Sequence, residues 1–342
     1  MRSTWKMAGA AAVAMLSLAM PARAAEQAVK SGEVLSSADG AWETGARPIG
    51  CQECGDCNDG CSGYDGCCRK PPLLGIIQPS DHGFDGFISP ITNTVFFEDP
   101  RTLTEARLIF ADHNIPSTSP IGGGDVQLYA LQLRAALTER LSVIATKDGY
   151  LSLTTTGLGH REGWADVMAG LKYNLVRDVE TQFLLSAGLT FEMDTGTHNV
   201  FQGRGDGEFH AFLTGGKELL PGVHWISGSG FRLPTDTVDR SQMWYWSNHL
   251  DKEIWNGIYG LVELHWFHWM KSGQVGPFGV EGNDIFNLGS PGVAGNDIVT
   301  LAVGGKYKPA PWLEIGSAFE FPLTKRRDLF DNRLTVDCIV RY

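Results

Sequence analysis

The stretch Gly163-Trp-Ala-Asp-Val-Met-Ala-Gly-Leu-Lys-Tyr-Asn-Leu175 alternates between apolar and polar or small side chains. One parity carries Ala165, Val167, Ala169, Leu171, Tyr173 and Leu175, and the other carries Asp166, Lys172 and Asn174. Because successive side chains of a β-strand point to opposite faces, this pattern predicts a strand with one dry and one wet face.

The same alternation continues outward from this stretch in both directions. Clear strands are predicted over 179–193, 298–308, 311–321 and 333–342, and further ones over 103–112, 124–137, 140–148, 207–217, 222–233, 242–252 and 254–269. Short connections near 138–139, 177–178, 218–221, 252–253 and 309–310 alternate with long ones over 113–123, 149–162, 194–206, 233–241, 270–297 and 322–332. This alternation is typical of bacterial outer-membrane barrels. The sequence therefore predicts an all-β fold, a transmembrane up-and-down β-barrel of about 12 antiparallel strands over 103–342.

Two of these stretches allow a comparison with a known family. Gly163 to Tyr173 has the spacing Gly-x-x-Asp-x-x-x-Gly-x-Lys-Tyr, and the chain ends Leu334-Thr-Val-Asp-Cys-Ile-Val-Arg-Tyr342. Residues 103–342 thereby resemble the outer-membrane barrels of the meta-pathway phenol-degradation transporter-like family, and more loosely the channels of the long-chain fatty acid type. The resemblance implies passive uptake and supplies no catalytic residues. Tyr342 stands where such barrels usually end in Phe.

The N-terminal region predicts export. Arg2 and Lys6, an apolar stretch over 7–20 and the triplet Ala22-Arg23-Ala24 form a signal peptide over 1–24, which a polar linker over 25–50 follows. No later window is long and apolar enough for a transmembrane helix. We therefore expect the outer membrane of a diderm bacterium, with both termini in the periplasm and Tyr342 as the signal for the barrel-assembly machinery. The net charge of −11 argues against nucleic acid as a partner.

A cysteine-rich segment over 51–68 precedes the barrel. It contains Cys51, Cys54, Cys57, Cys61, Cys67 and Cys68. The first four have the spacing of a bacterial ferredoxin run, but a chain exported unfolded into an oxidising compartment favours disulfides. The interspersed carboxylates leave a zinc or other soft-metal site open as an alternative. Apart from this metal, no cofactor is expected.

The segment over 69–102 is marked by Pro and Gly yet rich in apolar residues. Gly83-Phe-Asp-Gly-Phe-Ile-Ser-Pro-Ile-Thr-Asn-Thr-Val-Phe-Phe-Glu98 is too apolar for a free linker and too irregular for a strand. It is predicted either to fold into the pore as a plug or to pack under the barrel rim, with an exposed tether as the remaining alternative.

The wet parities of the predicted strands carry the candidate lumen residues. They are Glu105, Arg107, Arg134, Asp166, Lys172, Glu192, His210, Arg232, Glu263, His265, Lys306, Glu314, Glu320, Arg333, Asp337 and Arg341. Mixed charges in a narrow barrel are expected to form stabilising salt bridges, and a lining that selects solutes by charge is the alternative.

These features predict a channel or uptake protein for small molecules, embedded in outer-membrane lipid. No enzyme activity is expected. A structural or envelope-tethering barrel is one alternative and a barrel hydrolase the other. For the hydrolase the candidate bases are His210, His224 and His265, with Ser227 and Ser229 as candidate nucleophiles. A tryptophan cluster on two adjacent strands, Trp244, Trp246, Trp255, Trp266 and Trp269, is interpreted as interfacial anchoring or as a slide for apolar solutes.

Overall fold

The computed structural model describes residues 70–276 and 279–342. The predicted signal peptide, polar linker and cysteine segment lie outside the described residues, so the disulfide and metal alternatives stay predictions. The described strands are β1 (Glu105–Ile115), β2 (Gly124–Ala136), β3 (Leu141–Lys147), β4 (Tyr150–Thr155), β5 (Gly159–Trp164), β6 (Val167–Asp178), β7 (Phe183–Met193), β8 (Glu208–Leu220), β9 (Val223–Pro234), β10 (Gln242–Trp255), β11 (Ile258–Lys271), β12 (Asp297–Ala310), β13 (Leu313–Pro322) and β14 (Asn332–Arg341). Two short 3-10 turns, His82–Phe84 and His198–Val200, complete the regular structure.

The strands form one closed antiparallel barrel with 12 positions around its wall, which confirms the predicted fold class. From β6 to β14 each strand pairs with the next along the chain, β1 pairs with β2, and β1 closes the ring by pairing with β14 from Glu105↔Arg341 to Asn114↔Asn332. Two wall positions are each divided in two. Strand β2 pairs with β4 along its first part and with β3 along its last part. On their other sides, β4 pairs with β5 and β3 pairs with β6.

The divided positions correct one sequence prediction. The expected long loop over 149–162 contains the hairpin of β4 and β5, and the expected single strand beginning at Gly163 is interrupted between Trp164 and Val167. The interval has Gly at 149, 157, 159 and 163, which weakens the alternating signal on which a strand prediction depends. Glycine at 149 is required because its φ is +115° and an added Cβ would lie 2.4 Å from the carbonyl oxygen of Tyr129.

Short turns gather at one end of the barrel and longer connections at the other, as the sequence predicted. The short-turn end has the connections 137–140, 179–182, 221–222, 256–257 and 311–312. One of the two-residue turns, Asn256–Gly257, has positive φ at both residues (42° and 78°), as a type I′ hairpin turn requires. The long-loop end has the connections 116–123, 194–207, 235–241, 272–296 and 323–331, together with the β4–β5 hairpin.

The two faces of the wall differ in polarity as the alternation predicts. In β13 the outward side chains Ile315 and Phe319 are 46% and 45% exposed, while Glu314 and Glu320, on the opposite face of the strand, are fully buried inside the barrel. An outward apolar band matches a hydrocarbon environment, in which an unpaired polar group would cost several kcal/mol. No helix among the described residues is long and apolar enough to cross a membrane.

Closure of the barrel gives a direct test. A closed barrel keeps its hydrogen bonds in mild detergent, so the purified protein is expected to migrate faster unboiled than boiled on a denaturing gel. Equal mobility of the two samples, together with recovery of the protein in a soluble fraction, would contradict the membrane barrel.

Candidate transport path: plug, inserted loop and side opening

All sixteen predicted lumen residues are buried inside the barrel, and most of them pair with one another. The ion pairs include Arg107–Asp337, Lys306–Asp337, Lys306–Glu314, Arg341–Glu105, Arg341–Glu314, Arg333–Glu320 and Arg134–Glu105. The Nε of Arg341 lies 2.7 Å from Glu105 across the seam that closes the barrel. These charges therefore neutralise one another instead of lining an open water-filled pore.

The segment that precedes β1 occupies the interior of the barrel. From Phe84 to Thr104 nearly every residue is buried, and side chains from opposite sides of the wall reach it. Arg107 on β1 donates to the carbonyl of Pro90 (2.7 Å), and Thr214 on β8 donates to that of Glu98 (2.8 Å). Contacts also come from β2, β6, β7, β10, β11, β12, β13 and β14. We name residues 84–104 the plug.

Two cations of the wall fix the plug near its C-terminal end. Glu98 binds Arg134 (2.6 Å) and Lys172 (2.7 Å), which belong to different strands. Burial raises the pKa of Glu98, but these two cations outweigh burial and lower it to about 2. Since the carboxylate form is favoured in the folded state, this anchor is fully present above the ordinary pKa of a glutamate and is lost as the pH falls towards 2.

The middle of the plug is held by one carboxylate of the wall. Glu263 on β11 accepts the backbone N–H groups of Ile91 and Thr92, each at 2.7 Å, and also the Thr92 hydroxyl. His249 lies between Glu263 (2.7 Å) and Asp251 (3.1 Å). An ionised carboxylate only accepts hydrogen bonds, so Glu263 is suited to bind the two backbone N–H groups of the plug.

Residues 70–80 contact the C-terminal residue Tyr342. Before the plug begins, the backbone N–H of Ser80 donates to the carbonyl of Tyr342 (2.7 Å), and the N–H of Tyr342 donates to that of Thr104 (2.9 Å). The Tyr342 hydroxyl donates to the carbonyl of Pro71 (2.6 Å), and the ammonium of Lys70 lies 5.2 Å from the ring centroid. The last residue of the barrel is therefore clasped by residues 70–80.

A second segment fills the barrel from the long-loop end. Residues 281–290, between β11 and β12, are buried and connect to several strands. Asp284 pairs with Arg333 (2.8 Å), and Arg232 donates to the carbonyls of Asn283 and Phe286, each at 3.1 Å. We name residues 281–290 the inserted loop; no pattern in the sequence predicted its place inside the barrel. Plug and inserted loop together close the axial path.

The strand pairing of the wall is interrupted where β3 ends and β4 begins. Strand β2 pairs with β3 over 133–136 and with β4 over 124–129, which leaves residues 130–132 without a strand partner on that side. The carboxylate of Asp148 accepts the N–H of Leu131 at 2.9 Å in place of a backbone carbonyl. We name this interruption the side opening.

Two cavities lie against the side opening and share part of their lining. The outer one is a groove of about 810 Å³ on the outward face of the barrel, and the inner one is a space of about 10 Å³ between the plug and the inserted loop. Ile109, Ala130, Asp148 and Ala165 line both. The groove is lined further by apolar side chains that include Leu108, Phe110, Tyr129, Leu131, Trp164, Ile315, Val336 and Cys338.

The residues considered for hydrolysis are not brought together. Ser227 and Ser229 accept the indole N–H groups of Trp246 (3.0 Å) and Trp244 (2.9 Å). The three candidate bases instead bond inside the barrel: His210 to Tyr245, His224 to Asp251, and His265 to Thr92 and Ser247. The tryptophan cluster divides as well, because Trp269 is buried inside the barrel whereas Trp255 is 73% exposed.

Comparison with known proteins supports the fold. No protein-family model matches the sequence, and no curated protein is significantly similar to it. Among solved structures, the COG4313 outer membrane channel from Pseudomonas putida F1 aligns with a TM-score of 0.51 at 13% identity, over 75% of this chain and 100% of that chain. The KdgM porin (TM-score 0.41, 10% identity, 69% and 99% coverage) and a FadL homologue from Pseudomonas aeruginosa (0.40, 9%, 78% and 99%) are more distant. The chain therefore has the fold of an outer-membrane β-barrel, and the specific phenol-degradation family stays a prediction.

Proposed function

We propose that the protein is a passive outer-membrane channel for small, uncharged, apolar molecules, which pass through the side opening in the barrel wall. In the proposed orientation the short turns and both termini face the periplasm. The observation that carries the proposal is the combination of a closed axis with an open wall. Plug and inserted loop fill the barrel from both ends, while Ala130 and Ala165 line both the remaining interior space and a membrane-facing groove.

The lining of the groove supports the solute class. Its side chains are predominantly apolar, so an apolar solute loses no hydrogen bonds when it leaves the hydrocarbon for the groove. A hydrated ion would have to shed its water there at a large cost. The inner space holds about one water molecule, so passage requires the plug or the inserted loop to shift.

The structural-barrel alternative is supported by one specific observation, the dense ion-pair network that fills the lumen. A purely structural barrel does not require the interruption between β3 and β4, the two successive partners of β2. For this reason we favour the channel.

Filling the side opening tests the channel. Cells that produce the protein are expected to take up labelled cinnamyl alcohol faster than cells without it. Ala130→Phe and Ala165→Phe place a ring in the lining that the two cavities share and are expected to return uptake to the rate of cells without the protein, because close-packed walls have no room for both ring and solute.

Ala187→Phe is the matched control, because Ala187 lies outward on β7 away from the groove, and it should leave uptake unchanged. All variants are checked for the gel shift of a folded barrel. Uptake equal to that of cells without the protein, already in the unmodified chain, would contradict transport and favour the structural alternative.

A further inference from the structure

Asp148 is the acidic side chain in the lining that the two cavities share. Asp337 also lines the outer groove, but it is buried inside the barrel and paired with Arg107 and Lys306. Asp148 lines both the outer groove and the inner space, and it is partly buried. A solute that moves between the two spaces passes its carboxylate.

No cation neutralises Asp148 among the ion pairs of residues 70–276 and 279–342. The adjacent Lys147 also lines the inner space, but its ammonium lies 2.8 Å from Glu192 and is bound there. The Asp148 carboxylate accepts a hydrogen bond from the backbone N–H of Leu131 at 2.9 Å. In contrast to Glu98 or Glu314, Asp148 therefore keeps an unbalanced negative charge beside the path.

We propose that Asp148 determines the charge specificity of the side opening, excluding anionic amphiphiles such as aromatic carboxylates and admitting neutral ones of the same shape. This inference rests on the proposed function and extends it to the solute's head group. Two like charges a few ångströms apart repel strongly where the surroundings are mostly apolar, since water is scarce and screening is weak. A neutral alcohol experiences no such repulsion.

The hydrogen bond to Leu131 makes a clean substitution available. In Asp148→Asn the amide oxygen still accepts the Leu131 N–H, so the wall keeps its geometry while the charge is removed. In Asp148→Ala both charge and acceptor are removed. Asp112→Asn is a matched control: Asp112 lies on β1 near the groove but lines neither cavity.

The experiment compares two labelled solutes with one carbon skeleton, cinnamyl alcohol and cinnamate, at neutral pH in cells producing each chain. The unmodified protein should accelerate uptake of the alcohol and leave cinnamate near the rate of cells without the protein. Asp148→Asn should raise cinnamate uptake by roughly tenfold with the alcohol unchanged, as expected for removing one repelling charge at short range. Asp112→Asn should behave like the unmodified chain.

The outcomes are distinguishable. If Asp148→Asn leaves the ratio of cinnamate to alcohol uptake unchanged while the alcohol is still transported, Asp148 only caps Leu131 and the inference is overturned while the channel stands. If cinnamate already enters as fast as the alcohol through the unmodified protein, the charge does not select. If neither solute enters faster than in cells without the protein, both the channel and the inference fail.

Discussion

Protein in which residues 84–99 are replaced by a short Gly-Ser linker is expected to conduct ions in planar bilayers roughly tenfold or more above the unmodified protein, since a barrel of this size is too wide for its wall side chains alone to seal. The replacement removes Glu98, the backbone bound by Glu263, and the aromatic side chains Phe87 and Phe96 from the axis. It keeps the contacts of residues 70–80 with Tyr342. Single-channel recording measures the effect.

Glu263→Gln provides an intermediate case for this prediction. The amide oxygen can still accept one of the N–H groups of Ile91 and Thr92, but the amide NH2 faces the other, and His249 is left beside one carboxylate, so the plug should detach intermittently. Brief openings on a low baseline are the expected record. Silence from both variants, with the folded-barrel gel shift intact, would mean that the inserted loop closes the axis alone.

The second large effect concerns stability. Arg341→Ala is expected to lower the free energy of unfolding by about 3–5 kcal/mol, because it leaves buried carboxylates without a shared partner. Arg341 donates to Glu105 across the closing seam, to Glu314 on β13 and to the hydroxyl of Ser89 in the plug. Urea titration followed by the folded-barrel gel shift measures the loss.

Two further variants separate charge from geometry at this seam. Arg341→Lys keeps the charge but cannot reach three acceptors at once, so an intermediate loss is expected. Arg140→Ala removes an exposed arginine of the short-turn end and should stay within about 0.5 kcal/mol of the unmodified chain. Equal stability of Arg341→Ala and Arg140→Ala would show that the buried network contributes nothing.

The wall of the barrel follows from local sequence pattern. Period-two alternation fixes which face of a strand is wet, so Lys306, Glu314 and Arg341 could be placed inside the barrel from sequence alone. Alternating connection lengths supplied the topology. Their ion-pair partners could not be predicted, because Arg341 meets Glu105 and Ser89 across 236 and 252 residues, and strand register decides such contacts.

The segments that fill the barrel have weaker local sequence patterns than its strands. The plug was one of several alternatives for an apolar, Pro-marked segment, and its place in the lumen depends on contacts with ten strands. The side opening could not be predicted for a different reason. Asp148 and Gly149 have the pattern of an ordinary turn, which predicts a loop where the hairpin of β4 and β5 lies. Only the pairing of β2 with two successive partners reveals the gap.

The clasp between residues 70–80 and Tyr342 makes the folded state sensitive to the completeness of the chain. Pro71 and Tyr342 are 271 residues apart, so their contact forms only after the final residue has been synthesised and β14 has reached β1. A chain that ends even one residue early lacks the hydroxyl, the ring and the backbone groups that hold the entry of the plug. Loss of Tyr342 therefore weakens the attachment of the plug as well as the end of the barrel wall.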